Sequence, residues 1–378
     1  MFIKFLKLLV KVKFDFSTLK HKKVILFDCE NTFFLEKLFR KNDYFILSTR
    51  YNNFKKIFVN ISLLKYFILN YDKNLSLKQN YLLSIIFLIN PKLLVTYTDI
   101  STDFYRLSKL MYKKIKCISI QRGARGDLFY NTGKERKNVF IPFLFSFGEY
   151  EQKIFRLKKT RANIINPVGS ISLFYANKLI KKKKLKKNKY DICLISEPHG
   201  KNSSDFNQVK NFADSAGNIA KFTHKLCEEE GLKLIFTGEG EKNSLLGREE
   251  IEFYRNYLSK FFIHQEKRTL FPSYQNIYQS KLIIGQNSTM LRESIGFNKK
   301  VLYCNLTGSK LLKAPIPNSI MDLNTNNYKS FKKRVLYLLS ISTKNYFKNL
   351  KYNREFMMIS PNKTLFLIKK KLKELKRN

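Results

Sequence analysis

Acidic residues, metal-ligand patterns and long apolar runs are scarce in this chain of 378 residues. Asp and Glu total 29 against 72 Lys and Arg, which gives a net charge of +43. The five cysteines include no C-x-x-C pair and the four histidines show no metal-ligand spacing, which argues against a zinc site. The cysteines instead fit small buried side chains in a reducing, cytoplasmic compartment. No apolar run reaches the roughly 18–20 residues of a membrane-spanning helix.

The excess of positive charge favours an anionic partner, which is nucleic acid, a membrane surface or an anionic substrate. Biased coding that enriches Lys, Asn, Ile, Phe and Tyr together is an equally good explanation for part of it. The basic residues run through the whole chain and do not cluster on a known nucleic-acid module, so nucleic acid is the weaker expectation.

Residues 1–21 form a basic amphipathic segment by sequence. Lys4, Lys7 and Lys11 would share one face of a helix, with apolar residues around the others. This pattern predicts a helix at an anionic membrane surface, on the inner face of the cytoplasmic membrane. An ordinary packed terminal helix is the alternative.

Apolar runs alternate with helical patterns along the rest of the chain, which predicts parallel α/β sheets. We predict an N-terminal Rossmann-like domain over 22–180, a Lys-rich linker over 181–189 and a second Rossmann-like domain over 190–326. Two or three basic helices would follow over 327–378. Two such domains face a cleft that ligands enter from the carboxyl ends of both sheets. Within the first domain, 31–41 is a predicted helix and 57–61 a predicted strand.

The segment 281–304, KLIIGQNSTMLRESIGFNKKVLYC, predicts a strand, a polar turn, a helix and a second strand. A helix start at the carboxyl edge of a parallel sheet binds anions well. Asn287, Ser288 and Thr289 can donate to a phosphate, and Glu293 lies one turn on, within reach of a ligand hydroxyl. The alternative is a plain helix cap with a solvated Glu293.

A basic loop follows the strand predicted over 115–121. Gln121, Arg122, Gly123 and Arg125 lie in the sequence SIQRGARGD. The two arginines can pair with an anionic group, and the glycine permits close approach of the backbone, so we predict an acceptor or phosphate site. A flexible basic loop is the alternative.

Three residues are candidates for a general acid or base. Asp99 and Asp103 lie four residues apart at a strand-to-helix junction, where they could also simply cap the helix. His199 follows the first strand of the second half, where a loop histidine is often incidental. The remaining donor-site candidates follow strands in the same way, without forming a G-x-G-x-x-G or P-loop motif; they are Gly169, Ser170, Glu197, Gly238 and Glu239.

At these residues the chain resembles bacterial surface-carbohydrate biosynthesis proteins, which are glycosyltransferases with the two-Rossmann GT-B architecture. The resemblance covers roughly residues 22–310. It rests on short stretches of sequence: VILFD, FFLEKLF, YFILSTR, LLVTYTDISTDFYRLSK, CISIQRGARGD, GREEIEFYRNYL and SYQNIYQSKLIIGQNSTMLRESIGFNKKVLYC.

The resemblance also extends to single motifs. Ser288-Thr289 is similar to the Ser/Thr pair with which GT-B sialyl- and Kdo-type transferases hold the phosphate of a CMP-sugar. Those enzymes carry a His-Pro motif, whereas this chain has Pro198-His199. Where relatives show Q-N-G, this chain has Gln121-Arg122-Gly123, whose extra cation suits a diphosphate or an acidic acceptor.

The resemblance implies a cytoplasmic glycosyltransferase of O-antigen or capsule assembly. Its partners would be a nucleotide-sugar donor on the second domain and a lipid-linked or saccharide acceptor on the first, with no metal or other cofactor. A polyol-phosphate transferase of the CDP-glycerol type and a sugar-nucleotide epimerase are alternatives on the same fold. A nucleic-acid-binding protein and a catalytically silent membrane scaffold are alternatives of other classes.

Overall fold

A computed structural model of the chain defines its architecture. The structure describes residues 13–28, 33–49, 56–124, 140–157, 161–197, 211–238, 243–258 and 271–377. The strands within these ranges form three parallel sheets of two, six and five strands. The strands of a parallel sheet that helices cover are buried on both faces, so both faces must be apolar. The continuous apolar runs of this sequence meet that requirement.

The first half contributes the two-stranded and six-stranded sheets. Its strands are β1 (Lys13–Asp15), β2 (Val24–Phe27), β3 (Tyr44–Leu47), β4 (Lys56–Phe58), β5 (Leu93–Thr96), β6 (Lys116–Ile120), β7 (Phe140–Ser146) and β8 (Arg161–Pro167). β1 pairs with β4, and the six-stranded order is β3-β2-β5-β6-β7-β8. Strand order reverses direction between β2 and β5, so a crevice opens at their carboxyl ends.

Side-chain caps fix most helix starts in this half. The helices are α1 (Phe33–Glu36), α2 (Ile61–Leu69), α3 (Leu77–Ile89), α4 (Thr102–Met111), α5 (Tyr150–Leu157) and α6 (Ile171–Lys182). Asn60, Ser76, Ser101 and Ser170 cap α2, α3, α4 and α6 in turn. The strand predicted over 57–61 is therefore too long, because Asn60 already starts a helix. The helix predicted over 31–41 is only four residues long among the described residues.

The second sheet has the order β10-β9-β11-β12-β13. Its strands are β9 (Tyr190–Ile195), β10 (Leu234–Thr237), β11 (Ser280–Gly285), β12 (Lys300–Cys304) and β13 (Asp322–Leu323). Its helices include α7 (Phe212–Glu230), α8 (Leu245–Arg255), α9 (Pro272–Tyr278) and α10 (Thr289–Gly296). The direction of strand order reverses between β9 and β11, which places their carboxyl ends at a second crevice.

The described residues 328–377 form four helices, not the two or three predicted. They are α11 (Tyr328–Ser340), α12 (Thr343–Asn349), α13 (Arg354–Met357) and α14 (Pro361–Arg377). α11 packs on the second core through Phe331 and Val335. α14 instead returns to the first sheet, where Ile368 and Leu372 join the core that contains β2. α14 therefore packs on the first half, unlike α11.

The buried cysteines match the expectation from sequence. Cys117, Cys193, Cys227 and Cys304 are free thiols inside the cores, and burial raises the pKa of Cys117 to about 12. Cys29 lies outside the described residues. No helix in the described ranges is long and apolar enough to cross a membrane.

Candidate functional site

Glu197 lies at the crevice between β9 and β11, just beyond the end of β9. Its Oε1 accepts hydrogen bonds from the backbone N–H groups of Gln286, Asn287 and Ser288, at 2.9, 3.0 and 3.1 Å. The residue is only 3% exposed. The amides that the sequence predicts as an open anion site are therefore occupied by a carboxylate of the chain itself. This contact exists because β9 and β11 are adjacent strands.

The start of α10 carries the predicted Ser/Thr pair. Ser288 Oγ accepts the N–H of Met290 at 3.2 Å, so this residue is the helix cap. Thr289 Oγ1 accepts the N–H of Ala124 at 2.9 Å, which joins the loop after β6 to the second sheet's helix. Asn287, Ser288 and Thr289 are half-buried. The two hydroxyls thus lie where the carboxyl edges of the two sheets meet.

Glu293 is the centre of a hydroxyl cluster between the two halves. It is 2% exposed, and its Oε1 accepts hydrogen bonds from Ser170 and, at 2.9 Å, from Ser172 Oγ. Its Oε2 accepts the Tyr274 hydroxyl at 2.8 Å. Ser170 and Ser172 follow β8 of the first sheet, whereas Tyr274 belongs to α9 of the second half. The predicted residues Ser170 and Glu293 are therefore in direct contact.

Burial shifts the pKa values of this cluster. It raises the pKa of Glu293 above its usual value, and the hydrogen bonds from Ser170, Tyr274 and Ser172 offset part of that rise. Burial and the nearby Glu293 also raise the pKa of Tyr97, while Arg122 acts in the opposite direction. Tyr97, which follows β5, therefore lies within electrostatic range of both Glu293 and Arg122. Arg122 itself is half-buried.

A second buried contact lies beside the hydroxyl cluster. Arg292 Nη2 is 3.4 Å from Glu151 Oε1, and Arg292 Nε donates to the carbonyl of Met357 at 2.7 Å. Gln121 Nε2 also donates to Glu151 at 3.2 Å, while Gln121 Oε1 accepts the N–H of Phe147 at 2.8 Å. Gln121, a predicted acceptor or phosphate residue, thus binds the carboxylate that Arg292 of the second half contacts. Its Nε2 also donates to the carbonyl of Gly123 at 2.9 Å.

The two candidate carboxylates of the first half differ in their surroundings. Asp103 accepts Lys78 Nζ on one oxygen and Gln79 Nε2 on the other, each at 2.8 Å. Asp99 is buried at the carboxyl end of β5, and its carbonyl accepts the Tyr105 hydroxyl. Asp99 is also close enough to Tyr97 to affect the pKa of that phenol. The role of either residue as a base stays a prediction.

Two predicted glycines lie at close contacts. Gly169 has φ +91°, and a Cβ there would collide with Thr364 of α14. A Cβ on Gly238 would lie 2.6 Å from Glu250 Oε2. Gly169 is therefore constrained by its positive φ and its close contact, whereas a side chain at Gly238 would require the Glu250 carboxylate to move. The other predicted site residues, Arg125, His199 and Glu239, lie outside the described residues.

Several buried polar atoms at the two carboxyl edges have no hydrogen-bond partner among the described residues. On the first sheet they are Thr98 Oγ1 and Ser119 Oγ, and on the second they are both amide atoms of Gln286. Buried polar groups are nearly always paired, so unpaired ones mark places where water or a ligand can supply the bond. Within the described ranges no group of three or more His, Cys, Asp or Glu could hold a metal ion.

Sequence reasoning missed four residues of this region: Tyr97, Glu151, Ser172 and Tyr274. Tyr97 and Tyr274 lie in stretches that carry the resemblance, but nothing in those stretches marks either residue, and each of the four reaches the site through strand order or helix packing. Arg292 was also missed, although the sequence contains a signal for it. Arg292 and Glu293 are two adjacent charged residues in α10, whose other residues are apolar or small. Two adjacent charges on a helix predicted to pack on a sheet indicate buried partners.

Comparison with known proteins identifies the fold. No protein-family model and no curated protein sequence matches the chain. Among solved structures, it is similar to a UDP-GlcNAc 2-epimerase from Neisseria meningitidis bound to UDP-GlcNAc (TM-score 0.56, 14% identity, 95% of this chain and 100% of that one). It is also similar to the wall teichoic acid polymerase TagF (TM-score 0.53, 12%, 94% and 90%). A glycosyltransferase from Rickettsia africae is a third neighbour (TM-score 0.50, 13%, 94% and 99%).

The predicted fold class is thereby confirmed: the chain has the GT-B fold, with two Rossmann-like units and C-terminal helices. These neighbours are enzymes of carbohydrate and cell-wall chemistry. Identities of this size show a shared fold and leave the reaction open.

Proposed function

We propose that the chain is a glycosyltransferase that moves a sugar from a nucleotide-linked donor to an acceptor hydroxyl in cell-surface polysaccharide assembly. The observation that carries the proposal is the buried Glu293, which accepts hydrogen bonds from three hydroxyl groups where the carboxyl edges of two parallel sheets meet. Ligands of doubly wound α/β folds bind at such edges. The UDP-GlcNAc bound by the Neisseria meningitidis neighbour supports a nucleotide-sugar as the donor.

The hydroxyl groups of the bound nucleotide-sugar are proposed to replace the chain's own hydroxyls as hydrogen-bond partners of Glu293. A ribose or sugar diol offers the same donors that Ser170, Ser172 and Tyr274 present in the structure. The phosphate would lie against Ser288, Thr289 and Arg122. Side chains are proposed here because Glu197 already occupies the backbone amides, and a second anion at those amides would meet like charge. Asn287, Gly169 and Gly238 would border the same pocket.

Transfer requires a base and a stabilised leaving group. The acceptor oxygen forms the new bond to the anomeric carbon and loses its proton to a carboxylate, while the bond from that carbon to the phosphate oxygen breaks with its electron pair. Asp99 is the proposed base, because it is buried beyond the carboxyl end of β5 and close to Tyr97. Asp103, which binds Lys78 and Gln79, is the other carboxylate candidate. His199 is the second choice. Arg122 would stabilise the charge that develops on the departing phosphate.

The remaining parts of the proposal concern the acceptor and the location. The acceptor is a saccharide or a lipid-linked saccharide, bound on the first half near Asp99 and Arg122. We propose a cytoplasmic enzyme that is peripheral on the membrane, with an anionic membrane surface as a partner. The basic segment 1–21 supports this by sequence, although residues 1–12 lie outside the described residues. No metal or other cofactor is proposed.

Transfer of radiolabel tests the reaction. The full-length protein is incubated with CMP-, UDP- or CDP-linked donors, with and without lipid extract or saccharide acceptors. Label that moves from a sugar nucleotide to an acceptor supports the proposal. Conversion of the sugar nucleotide to an epimer without an acceptor would instead identify an epimerase, and transfer of glycerol phosphate from CDP-glycerol a polyol-phosphate transferase. Tight, salt-dependent binding of RNA or DNA without nucleotide-sugar binding would contradict an enzyme of this class.

A further inference from the structure

Helix α2 presents an apolar face to solvent, away from the crevices described above. Leu63 enters the first core, and Phe67, four residues on, is half-buried. Ile61, Leu64 and Ile68, at the spacing of one helical face, are 87%, 59% and 65% exposed. The helix therefore has one apolar face packed on the core and a second apolar face in water. A second face of this kind indicates a partner that covers it.

The exposed face extends beyond the helix. Asn60, the cap of α2, donates to the carbonyl of Ser17 at 3.0 Å, which brings the segment after β1 to the start of the helix. Phe16 in that segment is 72% exposed. We call Phe16, Ile61, Leu64, Ile68 and the exposed Leu69 the α2 surface. Exposed apolar side chains grouped in this way are typical of an interaction site.

Charge identifies the kind of partner. The sequence ranges 13–23 and 56–78, which contain the α2 surface, hold eight lysines and two aspartates. Of these lysines, Lys23 pairs with Asp43 and Lys78 with Asp103. Lys20, Lys65 and Lys73 are exposed to solvent. A symmetric dimer would pair this surface with itself and place lysines against lysines, which is unfavourable. An anionic lipid surface accepts both the apolar side chains and the positive charge.

We propose that the α2 surface lies on a bilayer rich in anionic lipid, with Ile61, Leu64 and Ile68 inserted among the acyl chains and the surrounding lysines at the headgroups. The surface is separate from the Glu293 cluster, so the proposal stands or falls independently of the transferase reaction. It also adds a contact within the described residues to the membrane association expected of the N-terminal segment.

Vesicle co-sedimentation of the full chain tests this. The variant Ile61→Asp/Leu64→Asp places two acids in the first turn of α2, where they favour the helix and leave folding intact. The matched control is Leu245→Asp/Phe366→Asp, because these side chains are 67% and 68% exposed on α8 and α14. Vesicles of phosphatidylcholine with and without phosphatidylglycerol are the probes, and melting temperatures confirm that each protein is folded.

We expect the wild-type chain and the control variant to bind vesicles that contain phosphatidylglycerol. Binding by the α2 variant should be weaker by about tenfold or more, because the inserted apolar area is lost. Equal binding by the two variants, or equal binding of the wild type to both vesicle types, would overturn the proposal. So would a wild-type dimer in sedimentation velocity that the α2 variant converts to a monomer, since the surface would then join two copies.

Discussion

Two buried glutamates are associated with α10: Glu197 binds at its start, and Glu293 is part of the helix. They accept hydrogen bonds from different kinds of donor. Glu197 binds three backbone N–H groups at the first turn of α10 through a single oxygen. Glu293 lies one turn further along α10 and binds three side-chain hydroxyls. Backbone groups at a helix start are fixed by the fold, whereas hydroxyls on separate elements can be exchanged for those of a ligand. The contrast makes Glu293 the stronger ligand candidate, while a donor-binding role for Glu197 stays a prediction.

Replacement of Glu197 should give the largest effect. Glu197→Ala leaves three N–H groups without their acceptor, so we expect the free energy of unfolding to fall by about 3–5 kcal/mol. Glu197→Gln retains a carbonyl oxygen that can occupy the same place, and its expected loss is about 1–2 kcal/mol. Denaturant unfolding of both variants measures the difference. Equal losses would show that the three amides do not depend on this oxygen.

The pH dependence of the free energy of unfolding isolates the contribution of Glu293 when the wild type is compared with a variant that lacks this carboxyl. Its pKa is raised in the folded chain, so its stabilising contribution is complete below the unfolded pKa and is lost as pH rises through the folded pKa. Glu293→Gln cannot titrate. We therefore expect the stability of this variant relative to the wild type to increase with pH across that window, by about 1.4 kcal/mol per unit of raised pKa.

The pH effect is measured as the free energy of unfolding of both proteins from about pH 4 to about pH 8. Glu151, whose pKa burial also raises, is present in both proteins and cancels in the difference. A difference that stays constant with pH would contradict the description of Glu293 as a desolvated carboxyl.

Removal of one hydroxyl should have the smallest effect. Tyr274→Phe removes a single donor to Glu293, and we expect a loss of about 1–2 kcal/mol in the free energy of unfolding. Tyr278→Phe, on the same helix and half-buried, is the matched control and should change stability by less than about 0.5 kcal/mol. If the two phenylalanine variants unfold at the same denaturant concentration, the Tyr274 hydroxyl contributes nothing to the cluster.

Local features of this fold were predictable from sequence. The unit β11–α10–β12 falls within a residue or two of its prediction, because an apolar run, a serine cap and a following glycine define each boundary. Ser288 as a cap and the contact between Ser170 and Glu293 both involve residues that sequence selected. Such features depend on neighbours in the chain or on strand ends that parallel sheets bring together.

The partners of those residues were not predictable. Glu197 reaches amides about 90 positions away, which requires knowledge that β9 and β11 are adjacent. Tyr274 enters through helix packing, and no motif distinguishes it from the other 20 tyrosines of the chain. The return of α14 to the first core likewise depends on tertiary packing, since its amphipathic pattern fits either half.

The central claim is that the Glu293 cluster belongs to a nucleotide-sugar site, and a thermal-shift titration tests it most directly. The wild-type chain, Glu293→Gln and Tyr278→Phe are titrated with CMP, UDP, GDP, CDP and their sugar derivatives. We predict that one nucleotide class raises the melting temperature of the wild type and of Tyr278→Phe through binding linkage. Glu293→Gln should need about tenfold or more ligand for the same shift, because one carboxyl oxygen that accepts hydroxyl hydrogen bonds is replaced by an amide N–H₂ donor. A wild-type chain that no nucleotide stabilises, or an equal shift in Glu293→Gln, would contradict the claim.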